Sequence, residues 1–77
     1  MKDLAIFILT HIVDKPESVE VTENETDLGY VTLTLKVDPA DMGKVIGKEG
    51  KNIRAIREVI KILALKQNKY VNVVLAE

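Results

Sequence analysis

Residues 30–37 alternate without a break between apolar and polar side chains, and no other feature restricts the fold of this 77-residue chain as strongly. Side chains of a β-strand point alternately to opposite faces, so one set is predicted to face a core. That set is Val31, Leu33, Leu35 and Val37. Residues 18–24 alternate in the same way, and Asp27 and Gly29 supply turn residues between the two segments. The pattern predicts a hairpin, which needs other elements to cover its apolar face.

The two ends of the sequence supply two further elements. Apolar residues recur at helical spacing from Lys2 to Val13, and Pro16 follows as a helix breaker, so a helix is predicted there. Residues 70–76 alternate again and are predicted to form a third strand. Its inward-facing residues are Val71, Val73 and Leu75.

Two more helices are predicted on either side of a pair of glycines. The first begins at Asp38, which suits the N-cap and is followed by proline. Asp41 then falls where a first-turn acid favours the helix dipole, and the helix ends near Ile46. The second runs from Lys51 to about Lys66 with an apolar stripe at helical spacing. The stripe consists of Ile53, Ile56, Ile60 and Leu63.

The predicted order is therefore helix, strand, strand, helix, helix, strand. A small open sheet needs a cover on one face only, which predicts an α+β two-layer fold with the helices on one side of a three-stranded sheet. A chain of this length has room for one core, so residues 1–77 are expected to form a single domain.

Composition excludes several classes of function. The chain has no cysteine and one histidine, His11, so no disulfide framework, thiolate zinc site or cofactor is expected. A nucleophile, base and orienting group cannot be assembled from these residues, which argues against an enzyme. The apolar run near the N-terminus is too short to span a membrane and has no cleavage site, so a cytoplasmic protein is expected.

The charges are distributed unevenly along the chain. Residues 1–40 hold three lysines against eight acids, whereas residues 41–61 hold six basic residues against three acids. The net charge is only −1, but a local positive field matters more for a polyanionic partner than the total charge. This field is centred on the segment Gly47-Lys48-Glu49-Gly50.

The glycine pair does not fit the common nucleotide-binding motifs. Three residues, not four, separate Gly43 from Gly47, and Lys48 is followed by Glu49 rather than by Ser or Thr, so this is not a P-loop. Two interpretations remain. In the first, Gly47 ends one helix in a left-handed conformation and Gly50 permits the turn into the next. In the second, the bare backbone and the start of the next helix receive a phosphate.

The segment KVIGKEGKNIRAI resembles the V-I-G-x-x-G-x-x-I signature of the KH RNA-binding domain. The matching residues are Val45, Ile46, Gly47, Gly50 and Ile53. The order of elements is similar to the type II, prokaryotic form of that domain, whose sheet contains one parallel pair. In its length the chain resembles the small bacterial single-KH proteins of the KhpA family.

This resemblance implies a cleft for about four nucleotides of single-stranded RNA. It assigns the backbone clamp to Gly47, Lys48, Glu49 and Gly50. Ile46 and Ile53 are candidate walls for bases, with core packing as the alternative. Lys51 and Arg54 are added from charge and helix spacing only. Many family members have a basic or neutral residue at the position of Glu49, so this acid is expected to weaken phosphate binding.

The resemblance also implies partners, either a second copy in a homodimer or a larger Jag-type KH RNA-binding protein. Such partners raise the effective affinity of a small cleft. The competing hypothesis is a protein-interaction module with a KH fold and residual RNA binding, in which the acidic hairpin residues form a docking edge. The simpler interpretation of those acids is a solvated surface that keeps the hairpin soluble.

Overall fold

The computed structural model describes residues 1–76, which form three α-helices, three strands and three short 3-10 turns. The regular elements are α1 (Lys2–Thr10), β1 (Glu20–Glu25), β2 (Tyr30–Lys36), α2 (Met42–Ile46), α3 (Lys51–Lys66) and β3 (Tyr70–Leu75). The predicted α+β order is confirmed. Within residues 1–76, none of the helices combines the length and the apolar character that crossing a membrane requires.

The sheet is mixed, with strand order β1-β2-β3. β1 pairs with β2 in antiparallel register, and β2 pairs with β3 in parallel register, with Leu33 opposite Val73. The parallel pair is possible because the segment from α2 to α3 crosses between the two strands. β1 and β3 are consequently the two edge strands.

The helices pack on one face of this sheet, as predicted. α1 contacts β1 and α3, while α3 contacts β3. The four inward residues predicted for residues 30–37 are all buried, and Val71 and Val73 join them. From the helices, Leu9, Val45 and Ile60 are fully buried. Each such aliphatic side chain contributes about 1.5–3 kcal/mol to folding, so this core is the main source of stability.

Several element boundaries differ from the sequence prediction, among them the start of the helix predicted at Asp38, where Pro39–Asp41 forms a 3-10 turn and α2 begins at Met42. α1 ends at Thr10 rather than Val13, yet Val13 is buried just beyond it. The apolar pattern therefore continues beyond the end of the helix, because the following turn still packs on the core. β1 begins at Glu20, two residues late, because Pro16–Ser18 forms a 3-10 turn.

Asp41 has a different role from the one that its sequence position predicts. Asp38 does cap the turn, since its Oδ1 accepts a hydrogen bond from the Ala40 N–H at 2.9 Å. Asp41, in contrast, is buried, and its carboxylate accepts hydrogen bonds from the backbone N–H groups of Asp14 (3.2 Å) and Lys15 (3.0 Å). It ties the chain after α1 to the start of α2.

Candidate nucleic-acid interface

A short loop with unusual backbone geometry joins α2 to α3. Gly47 follows α2 with φ +74° and ψ 174°, and Glu49 (φ +56°, ψ 27°) and Gly50 (φ +75°, ψ 15°) are both left-handed. The predicted connection between two helices is confirmed. Gly47 does not have the left-handed cap conformation of the first interpretation, because its ψ is extended. The combination of positive φ with extended ψ is almost restricted to glycine.

The two glycines of this loop are required for different reasons. A Cβ on Gly47 would lie 2.6 Å from Cγ and 2.9 Å from the backbone nitrogen of Asn52. Atoms this close cannot be accommodated without moving the start of α3. A Cβ on Gly50 would meet nothing within 4 Å. Gly47 is therefore needed for packing, whereas the space beside Gly50 is open to a ligand.

Asn52 holds the two helices together beside the loop. Its Nδ2 donates a hydrogen bond of 2.8 Å to the carbonyl oxygen of Lys44, which lies in the last turn of α2. This bond satisfies a carbonyl that the end of a helix otherwise leaves without a partner. The role of Asn52 cannot be predicted from the sequence, because a lone polar residue in the first turn of a helix carries no distinctive signal.

Arg54 is exposed, but its guanidinium forms hydrogen bonds with the backbone of the loop. Its Nη2 donates to the carbonyl oxygen of Glu49 at 2.7 Å, and its Nε lies 3.5 Å from the carbonyl oxygen of Gly50. The guanidinium thus bonds two successive carbonyls of the segment that has positive φ. Arg54 was predicted as an RNA contact from its charge, and the structure places it as a brace for the loop backbone.

The lysines around the loop differ in their surroundings. Lys44 forms an ion pair with Asp14. The hydrogen bond to Asp14, together with the charges of Asp14 and Asp41, raises the pKa of Lys44 above its ordinary value. Lys48 and Lys51 are exposed and form no ion pair within residues 1–76. The positive charge around the loop that has no ion pair within residues 1–76 therefore comes from these two lysines and Arg54, with Glu49 exposed between the lysines.

The two isoleucines of the motif lie in different environments. Ile46, at the end of α2, is 37% exposed beside the loop, whereas Ile53 is 8% exposed and belongs to the core. Ile46 therefore leaves apolar surface exposed beside the loop. Ile53 mainly anchors the first turn of α3 on the sheet.

The basic side of α3 continues from the loop along the edge strand β3. Arg57 lies one turn beyond Arg54, and its Nε donates to the carbonyl oxygen of Val73 at 3.2 Å. The acidic residues Glu20, Glu23 and Glu25 lie on β1, at the opposite edge of the sheet. The acids of β1 and the basic residues of α3 therefore lie on different elements, but the charges are not fully separated, because the Lys69 Nζ, just before β3, lies 3.9 Å from Glu25.

Metal binding has no support in the described part of the chain. No three His, Cys, Asp or Glu side chains of residues 1–76 come together. His11 is exposed, and its Nδ1 lies 2.7 Å from the carbonyl oxygen of Phe7. His11 is therefore a surface residue.

Comparisons with known proteins give a consistent assignment. The family model described as "KhpA/KhpB, KH domain" matches residues 2–75. The protein named "RNA-binding protein KhpA" of Clostridium perfringens is 51% identical over 71 residues, which cover 92% of this chain and 93% of that protein. Its namesake in Bacillus subtilis is 38% identical over 71 residues, covering 92% of this chain and 86% of the relative. The search of solved structures gave no match. The family match, the identities and the type II order of elements show that the chain belongs to the KhpA/KhpB KH-domain family.

Proposed function

We propose that residues 1–77 act as one KH domain that binds single-stranded RNA without catalysis, in the cytoplasm. The RNA backbone lies against the loop Gly47–Gly50, and Lys48 and Lys51 contact its phosphates. The observation that carries this proposal is the open space beside Gly50, which adjoins two exposed lysines without ion-pair partners in residues 1–76.

The geometry of the loop supports an anionic ligand. No side chain caps the N-terminus of α3, and the helix dipole favours negative charge there, although the Lys51 N–H already donates to the carbonyl oxygen of Lys48. The bracing by Arg54 fixes the backbone before the ligand arrives, which lowers the entropic cost of binding. The relatives, whose printed name is RNA-binding protein, also support RNA as the ligand.

One short cleft contacts few phosphates, so the affinity should be modest. If about three phosphates are neutralised, log K should fall with log salt with a slope of about −2. Glu49 lowers the affinity further by repelling phosphate, but solvent screens this exposed charge.

The test uses a double variant, Lys48→Asp with Glu49→Asp. Both positions between the two loop glycines then carry a negative charge. Both side chains are exposed, so circular dichroism should show an unchanged fold. Affinity for a short single-stranded RNA should fall more than about tenfold, because phosphate no longer meets a positive loop. Lys2→Asp, on α1, is the control for a change of charge and should bind almost normally.

Unchanged RNA affinity in the acidic-loop variant would overturn the proposal. It would favour the competing function, a protein-interaction module in which the acidic β1 edge contacts a basic partner. That edge carries Glu20, Glu23 and Glu25.

We further propose that two copies associate through the outer face of α3, which consists of Glu58, Val59, Ile62 and Lys66. Val59 is 45% exposed and Ile62 is 59% exposed, although both are large apolar residues on a helix whose other stripe is buried. In a small domain, apolar residues grouped on the outside mark an interaction surface.

The charges on this face suit an antiparallel pair of α3 helices. If Ile62 lies at the two-fold axis, Glu58 of one copy is level with Lys66 of the second copy, because each is four residues from Ile62. Opposite charges then meet at both ends of the apolar contact. A larger Jag-type KH protein is the other partner proposed for this face, and joining two RNA-binding units in either complex raises the effective affinity.

A further inference from the structure

The helix that precedes the glycine loop, α2, is too short to hold its own position. It has five residues, and helices much shorter than about 12 residues are marginal without outside contacts. Two polar contacts hold it against the connection after α1. The buried Asp41 carboxylate accepts backbone N–H groups of that connection, and Lys44 forms an ion pair with Asp14. The end of α2 that leads into the loop is held instead by α3.

Asn52 supplies this contact from the first turn of α3. Its Nδ2 donates to the carbonyl oxygen of Lys44 at 2.8 Å. Asn52 is an exposed residue, and an exposed carbonyl at the end of a helix can bond to water instead. What the side chain adds over water is a fixed separation between α2 and α3. The bond therefore matters more for the geometry of the two helices than for satisfying the carbonyl.

The same side chain packs against the first glycine of the loop. A Cβ on Gly47 would lie 2.6 Å from the Cγ of Asn52 and 2.9 Å from its Cβ. The Gly47 backbone and the Asn52 side chain thus approach more closely than any other residue at position 47 would allow. The Gly47 N–H also donates to the carbonyl oxygen of Gly43 in α2 at 2.9 Å. Gly47 is therefore held by α2 on one side and by Asn52 on the other.

Asn52 and Arg54 hold opposite ends of the loop. Asn52 contacts Gly47 at its start, and Arg54 donates to the carbonyl oxygens of Glu49 and Gly50 at its end. Three of the four loop residues have positive φ. Uncommon backbone conformations persist only where the surrounding structure enforces them. Removing either contact should therefore let the loop populate other conformations.

We propose that Asn52 is a positioning residue, which fixes the separation of α2 and α3 and with it the geometry of the loop that receives RNA. The proposal rests on the proposed function, because it concerns the same loop. Asn52 carries no charge, and this role needs no contact with the ligand. If loss of Asn52 lowers the population of the binding geometry to roughly a third or a tenth, the Kd rises threefold or tenfold.

The experiment replaces Asn52 with leucine, which has the same branched shape but no hydrogen-bond donor, and separately with alanine. Both variants should bind a short oligouridine roughly three- to tenfold more weakly, with an unchanged dependence of log K on log salt because no phosphate contact is lost. In the free variants, NMR relaxation should show lower order parameters or new slow exchange at residues 47–50. Asn24→Leu, at an exposed position of β1, is the matched control and should change neither quantity.

Two results would overturn the proposal while the loop proposal stands. If Asn52 serves stability alone, urea denaturation shows a lower free energy of unfolding but the folded variants bind oligouridine as wild type does. If affinity falls while relaxation of the free loop stays as in wild type, Asn52 contacts RNA directly. A wild-type protein that does not bind oligouridine would instead contradict the proposed function itself. Asn52→Ala keeps the test decisive if leucine is too large beside Gly47 for the protein to fold.

Discussion

The Arg54 Nη2 donates a hydrogen bond of 2.7 Å to the carbonyl oxygen of Glu49. Glu49 has positive φ, a conformation that costs a non-glycine residue about 1–2 kcal/mol. The bond helps to hold this conformation. In the proposed function, Arg54 is therefore a positioning residue for the loop backbone.

Replacing Arg54 with lysine separates this role from that of its charge. Lysine keeps the charge but lacks the planar group that bonds two successive carbonyls. We expect Arg54→Lys to weaken RNA binding roughly three- to tenfold, with an unchanged dependence on salt because the number of neutralised phosphates is the same. Fluorescence anisotropy at several salt concentrations measures both quantities. Wild-type affinity in the variant would show that charge alone matters.

The two loop glycines should respond differently to substitution by alanine. Gly47→Ala combines an unfavourable backbone conformation with contact against Asn52, and should lower the free energy of unfolding by about 2–4 kcal/mol. Gly50→Ala meets no neighbour and should cost only about 1–2 kcal/mol. Its methyl group enters the space assigned to RNA, so affinity should fall although the protein folds. Urea denaturation compares the two, and equal losses of stability would contradict the packing argument.

Much of this fold follows from local patterns in the sequence. The alternation of residues 30–37 and the periodicity of residues 51–66 directly predict β2 and α3, because burial of one face dictates the spacing of apolar residues. Asp38 and Pro39 likewise locate a helical turn from local chemistry. These features need no knowledge of distant partners.

The parts that the sequence did not predict depend on distant or three-dimensional contacts. Asp41 accepts bonds from residues more than twenty positions earlier, and Arg57 reaches across to β3. Nothing in their neighbours in sequence indicates these partners. The left-handed conformation of Glu49 cannot be predicted from the sequence either, because a surface acid between glycines gives no local indication of positive φ. The brace from Arg54 appears only once the loop is folded.

Association through α3 is tested by placing a charge on its outer face. Ile62→Glu would bury two carboxylates at the proposed two-fold axis. It also removes the free energy of burying the isoleucine, about 1.5–3 kcal/mol per side chain. The protein should therefore become monomeric. Sedimentation equilibrium measures the molecular mass. Leu28→Glu, at the exposed tip of the hairpin, is the matched control and should leave the mass unchanged.

The antiparallel register gives a sharper test with reversed charges. Glu58→Lys should weaken association roughly tenfold by placing like charges together, and adding Lys66→Glu should restore it. Failure of the second change to rescue association would exclude this register. A wild-type protein that stays monomeric at high concentration would contradict the homodimer.

The ion pair between Lys44 and Asp14 predicts a pH dependence at the alkaline end. The pKa of Lys44 is raised in the folded protein, so its contribution to stability is complete below the ordinary value of about 10.5 and is lost as the pH rises through the folded pKa. Wild type should exceed Lys44→Met in stability at pH 8, and the difference should be smaller at an alkaline pH above the ordinary value of about 10.5. The effect should be small, because the ammonium is exposed. A constant difference, measured by urea denaturation at both pH values, would contradict this role.

The location of RNA on the protein is tested most directly by NMR titration of isotopically labelled protein with a short single-stranded RNA. If the RNA backbone lies against the loop, the amide signals of Gly47, Gly50 and Lys51 should shift most, and those of β1 should shift least. Largest shifts along β1, with the loop signals unmoved, would contradict the account.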